Sequence, residues 1–175
     1  VLQLHSMLYR YMPQPGGQPN RLLLHQPDGT LRDGTLAAGL EILDNCGPAL
    51  ILVVDDDGDQ DVAVAAGSSI LIGWNDGEGR FSEHTVLEGP DAPEVTSMSA
   101  ADPDGDGDLD IVALAVSIYT YINDGNGAFT RLTFFPGGGR YRNFLLRDLD
   151  GDGRPEILKV KDPVSAPYHF YTNKN

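Results

Sequence analysis

The sequence predicts an all-β protein, a β-propeller-like array of four-stranded antiparallel blades with about 3.5 blades along the chain. Three observations carry this prediction. An acidic, glycine-rich loop occurs three times, as Asp55-Asp-Asp-Gly-Asp-Gln-Asp61, Asp102-Pro-Asp-Gly-Asp-Gly-Asp-Leu-Asp110 and Asp148-Leu-Asp-Gly-Asp-Gly-Arg-Pro-Glu156. Short apolar runs, rich in β-branched residues, flank these loops. An Asn-Asp-Gly-x-Gly segment then follows the first two loops at a nearly constant distance. Elements recurring at a fixed interval mark a repeat protein, whose units bury a core only by stacking.

Matching Gly58 to Gly107 and Gly153 also matches Asp61 to Asp110 and Glu156, and gives periods of 49 and 46 residues. The chain then reads as one repeat domain, 1–175, with units at about 1–47, 48–92, 93–139 and 140–175. The first unit offers strands near Leu4 to Tyr11, from Arg21 to His25 and from Leu31, with an exposed loop from Pro13 to Pro19. In the second, Ala49–Val54 precedes the acidic loop and Val62–Ala65 follows it. Ser69 opens a third strand that ends at Asn75-Asp-Gly-Glu-Gly79, and a fourth starts near Phe81. The third unit repeats this plan, with Ile111–Val116 after its loop, then Ser117 to Asn123 and a last strand near Phe129. The fourth has Ile157–Val160 and a third strand ending near Tyr168–Thr172. Glycine and Asn/Asp tolerate positive φ, so Asn-Asp-Gly-x-Gly between apolar runs reads as a hairpin. Four short strands per unit of this length fit a propeller blade. The first and fourth units read as incomplete, which predicts a very small ring, a piece of a larger one, or an open row completed by neighbouring copies.

Carboxylates on alternate residues, with glycines allowing a tight bend, turn several oxygens toward one point and suit a hard cation taking six to eight oxygen ligands. The second loop supplies Asp102, Asp104, Asp106 and Asp110; the third supplies Asp148, Asp150, Asp152 and Glu156. The first keeps Asp55, Asp57 and Asp61 but has Val53 at the leading position. Two calcium ions are therefore expected, and a third site has fewer ligands. The seventh position varies among Asp59, Asp108 and Arg154, as it can if only its backbone carbonyl is used. An EF-hand does not fit. Its loop ends in Glu at position twelve between helices, whereas these loops carry Val64, Ala113 and Lys159 there and join β-rich runs.

The Asp-x-Asp-Gly-Asp-Gly-x-x-Asp/Glu loops, the Ile or Val that follows, and the Asn-Asp-Gly-x-Gly-x-Phe turns resemble the VCBS or FG-GAP-like repeats of integrin α-chain propellers and of many secreted bacterial proteins. The resemblance covers nearly the whole chain. The Phe-Gly and Gly-Ala-Pro signature of the integrin form is absent, so the similarity is closer to the VCBS type. It implies calcium bound between the first two strands of a blade, and a role in adhesion or display.

Charge is unevenly spread. Residues 1–50, 51–130 and 131–175 carry −1, −16 and +3. An acidic middle and a basic end, with Arg140, Arg142, Arg147, Arg154, Lys159 and Lys161, would favour head-to-tail contact between copies, and unpaired strand edges would template it. The expected partners are other copies or other propeller blades, with a protein or glycan ligand also compatible. An overall charge of −14 and a pI near 4.4 argue against nucleic acid. No apolar stretch is long enough to span a membrane and no signal peptide is recognised; a chain opening at Val1 reads as processed or partial. Calcium affinities of extracellular modules, about 0.1 to 1 mM, would place the protein outside the cell.

Catalysis is not expected. Cys46 is the single cysteine, and His5, His25, His84 and His169 lie outside any nucleophile or metal motif. No phosphate loop or zinc spacing occurs, and the obvious carboxylates belong to the loops. Trp74, Tyr119, Tyr121, Tyr168 and Tyr171 fall on third strands, where packing between blades is favoured over a carbohydrate platform. The competing class is a polysaccharide-active or adhesive propeller of which this chain is a part.

Overall fold

Each apolar run pairs with the next through a tight turn, so the chain folds as consecutive antiparallel sheets. The computed structural model describes residues 21–41, 46–89, 94–135, 141–161 and 169–171, all of them strand, turn or loop. Strands β1 (Leu23–His25) and β2 (Leu31–Asp33) form a hairpin in the first unit. The second unit is a four-stranded sheet in chain order, β3 (Cys46–Leu52), β4 (Asp61–Ala66), β5 (Ser69–Trp74) and β6 (Glu83–Leu87). The third repeats it with β7 (Ser97–Ala101), β8 (Asp110–Leu114), β9 (Ile118–Asn123) and β10 (Phe129–Phe135). The last contains β11 (Tyr141–Arg147), β12 (Glu156–Lys161) and β13 (His169–Tyr171). The two four-stranded antiparallel sheets have the blade architecture that the sequence predicts. β3 begins at Cys46, slightly ahead of the predicted Ala49, after a register shift that lets Gly47 and Pro48 bulge from the ladder. The predicted strand near Leu4 to Tyr11, the Pro13 to Pro19 loop, His5 and Tyr168 lie outside the described residues.

The second strands show why the blades stack. Side chains alternate across a strand, and β4 is buried on both faces. Val62 and Val64 pack with Leu22, Leu40 and Phe81 toward the first unit. Ala63 and Ala65 join Ile70, Ile72, Ile111, Ala113 and Tyr121 between the second and third blades. The pattern moves one blade along in β8, whose Val112 and Leu114 meet Ile118, Phe144 and Ile157 of the third and fourth blades. The core is thus a series of layers between sheets. First strands of neighbouring blades draw together, β3 against β7 and β7 against β11, and among the described residues the row is not closed into a ring.

Trp74, Tyr119 and Tyr121 of the third strands pack in the layer between the second and third blades, as the sequence predicts. Tyr121 is buried, and its hydroxyl donates to the Glu88 carbonyl at 3.3 Å, across the blade boundary. Trp74 donates from Nε1 to Thr85 Oγ1 at 3.0 Å. Its ring lies over Gly127 in the next blade's turn, where a Cβ would collide with the indole.

Ile111 is fully buried between the second and third blades. Replacing it with Ala should cost about 2–5 kcal/mol in urea unfolding, whereas Leu132→Ala on exposed β10 should change little. Equal effects of the two would contradict the layered core.

Candidate metal centres

The acidic loops join first to second strands and share one hydrogen-bonding plan. The leading carboxylate caps the bend: Asp102 accepts from the amides of Gly105 (2.6 Å), Asp106 (3.2 Å) and Gly107 (3.0 Å). Asp148 does the same with Gly151 (2.7 Å) and Gly153 (3.0 Å). This bend needs left-handed backbone at the fourth position, where Gly105 and Gly151 have φ of 82° and 81°. The first loop places Asp56 there at φ 62°, an uncommon conformation that Asp tolerates better than most residues. Fifth-position carboxylates accept the seventh-position amide in all three loops: Asp57 from Asp59, Asp106 from Asp108 and Asp152 from Arg154, at 2.8, 3.0 and 2.8 Å.

The ninth position differs in kind, because it is buried at the start of the second strand. Asp61, Asp110 and Glu156 have relative exposures of 1, 0 and 3 %. Asp61 Oδ1 accepts from the Asn75 amide at 2.9 Å, and Asp110 Oδ1 from the Asn123 amide at 2.8 Å, which ties each loop to the following hairpin turn. The Leu149 amide donates to Glu156 Oε2 at 2.6 Å. Asp110 Oδ2 and Glu156 Oε1 are buried with no hydrogen-bond partner.

Carboxylate oxygens of Asp102, Asp104 and Asp110 lie within 4.8 Å of one another, as do those of Asp148, Asp150 and Glu156. Among the described residues, Asp55, Asp57 and Asp61 form no such group. Asp106 and Asp152 belong to neither group. Asp59 and Asp108 turn their side chains onto Gly77 and Gly125 of their own blade's hairpin turn, and Arg154 lies against Gly105 of the preceding loop. The seventh-position side chains of Asp59, Asp108 and Arg154 belong to neither three-carboxylate group.

Burial pushes the Asp110 carboxyl up to about 7; the Asn123 amide opposes this, and Asp104, Asp106 and Asp102 add repulsion. Burial likewise raises Asp61, Asp104 and Asp108, and the last also feels Asp106 and Asp56 of the first loop. The hairpin turns behave oppositely. Asp76 and Asp124 are held below the usual carboxylate range by amides of Glu78 and Arg80, and of Asn126 and Ala128. Sequence reasoning did not assign Asn75 and Asn123 to the site. Their signal was available: an Asn follows each of the first two ninth-position acids by 14 or 13 residues.

A row of consecutive antiparallel sheets, two of them four-stranded, with an acidic loop between the first two strands of the second, third and fourth units, defines a repeat module of β-propeller type. The sequence profile of the FG-GAP-like repeat matches residues 54–113 and 115–158, and the chain belongs to that family. No curated protein matches the chain significantly. Among solved structures, the chain is similar to an Agrocybe aegerita lectin described by its specific recognition of non-reducing terminal N-acetylglucosamine, with 20% identity and a TM-score of 0.49. The alignment covers 81% of this chain and 40% of that one.

A carboxyl raised in the folded state stabilises the fold below its unfolded pKa, and that contribution is lost as pH rises through the folded value. Without divalent cations, stability should fall from about pH 4 to about pH 7, between the unfolded and folded values of Asp110, and level off above that. Asp110→Asn should flatten most of that slope in thermal melts, and a wild-type profile already flat would disprove the placement of Asp110.

Proposed function

We propose that this chain is a calcium-stabilised extracellular interaction module that works by docking against other propeller blades. The observation that carries the calcium reading is the buried, unpartnered oxygen of Asp110, matched by that of Glu156, each belonging to a three-carboxylate cluster. A buried charged acceptor without a partner is strongly destabilising. Oxygen-only donors, with no His or Cys in either cluster, suit calcium and disfavour zinc or copper. Asp102, Asp104 and Asp110, with Asp106 and the Asp108 carbonyl, would hold one ion. Asp148, Asp150 and Glu156, with Asp152 and the Arg154 carbonyl, would hold the other. Bound calcium supplies two positive charges that offset carboxylate repulsion. The role is structural, and the module is read as non-enzymatic. Loops of this type in extracellular modules bind at about 0.1–1 mM, which supports a location outside the cell. No helix among the described residues is long and apolar enough to cross a membrane.

Docking is supported by the outer face of the fourth blade. Phe144 and Ile157 face the third blade, so the paired Leu145 and Leu158 face the other way. Leu145 is 57 % exposed there. The corresponding faces of the second and third blades are covered by the next blade. A further copy, added head to tail, would cover this one with its own first unit. Further blades of a larger adhesive or polysaccharide-active propeller would cover it equally, which is the second reading.

Replacing Asp104 and Asp106 together with Asn should remove one bound calcium and lower the melting temperature in calcium; an unchanged stoichiometry and melting temperature would defeat the assignment. Sedimentation in millimolar calcium should give assemblies that Leu145→Glu disperses. A wild-type monomer under those conditions would favour the larger-propeller reading.

A further inference from the structure

We infer that the first acidic loop is closed by main-chain amides and takes no cation, so that the second blade folds independently of calcium while the third and fourth depend on it. The inference rests on the calcium reading of the other two loops. The three loops of one family repeat differ here in a countable property, the number of free oxygens on the buried ninth-position carboxylate.

In the first loop that number is zero. The Val54 amide donates to Asp61 Oδ2 at 3.1 Å and the Asn75 amide to Oδ1 at 2.9 Å. Both oxygens are therefore satisfied where Asp61 is buried. The residue matching Val54 in the second loop is Pro103, which has no N–H to donate. Asp110 keeps the hairpin bond from Asn123 but loses its counterpart to the Val54 bond, and its Oδ2 is left unpartnered. In the third loop the donor is present as Leu149, at 2.6 Å from Glu156 Oε2. Glu156 is one methylene longer than Asp, and its Oε1 remains without a partner. The leading position agrees with this count. Val53 replaces the acids Asp102 and Asp148, and the first loop's carboxylates do not converge as the others do.

The second position of the loop therefore acts as a selector. An amide there, paired with Asp at the ninth, substitutes for a cation; a proline there, or a glutamate at the ninth, leaves an oxygen that needs one. The buried Asn123 Nδ2 also donates to the Val54 carbonyl at 2.7 Å, so the closed first loop is a fixed support for the third blade.

Calcium alone, titrated calorimetrically into the whole chain, tests this. The wild type should bind two ions, Asp55→Asn with Asp57→Asn should still bind two, and Asp148→Asn with Asp150→Asn should bind one. Pro103→Ala, which restores the missing amide, should weaken the second-loop site by roughly tenfold, the scale of one hydrogen bond to a charged group. In amide NMR spectra, Val54 and Asn75 should keep their shifts through the titration while Asn123 and Leu149 move. Three ions in the wild type, falling to two when Asp55 and Asp57 are replaced, would overturn the inference and leave the calcium reading intact. No binding at all would overturn both.

Discussion

A carboxylate buried at the first residue of each second strand is the constraint on which the rest of this architecture depends. Asp61, Asp110 and Glu156 each sit where the acidic loop re-enters the sheet, and Asp61 and Asp110 hold the amide that opens the next hairpin turn. One side chain thus fixes the loop behind it and the turn two strands ahead. A buried carboxylate is tolerated only when its oxygens find donors or a counter-charge. The glycines at left-handed positions and the leading aspartates of the second and third loops keep this group in place. The Asn-Asp-Gly turns complete that local network rather than serving as simple connections.

Much of this was legible in the sequence, because the signals were local and repeated. Alternating acids with glycine, and Asn-Asp-Gly-x-Gly between apolar runs, fix the ends of strands and the count of strands per blade. β7 was legible only through the repeat: Ser97-Met-Ser-Ala-Ala101 carries weak strand character, and its pairing with β8 supplies what composition does not. The spacing of Asn75 and Asn123 from the ninth-position acids was visible in the sequence, but the hydrogen bonds they make, and the role of Pro103, were not. Each depends on a partner well separated in the chain, and for Pro103 the informative feature is a hydrogen that the residue lacks. The overlap of Trp74 with Gly127 was hidden for the same reason, since spacing within a repeat says nothing about which residues meet across repeats.

The electrostatic pattern follows from the stacking. Bringing first strands together also brings the loops together, so Asp108 of the second loop feels Asp56 of the first. At the next boundary the equivalent meeting is between Arg154 and Gly105, a cation over a bare backbone. The acidic middle and basic end of the sequence are therefore expressed as two unlike junctions between otherwise similar blades.

Those junctions make the blades distinct parts rather than interchangeable copies. The indole of Trp74 needs a glycine opposite it in the following turn, and the guanidinium of Arg154 rests where the preceding loop has no side chain. A duplicated or shuffled blade would inherit the strands and the loop but meet the wrong neighbour on one side. The order of repeats is thus written into single residues at their borders, and the chain carries an address for each blade as well as the instructions for folding it.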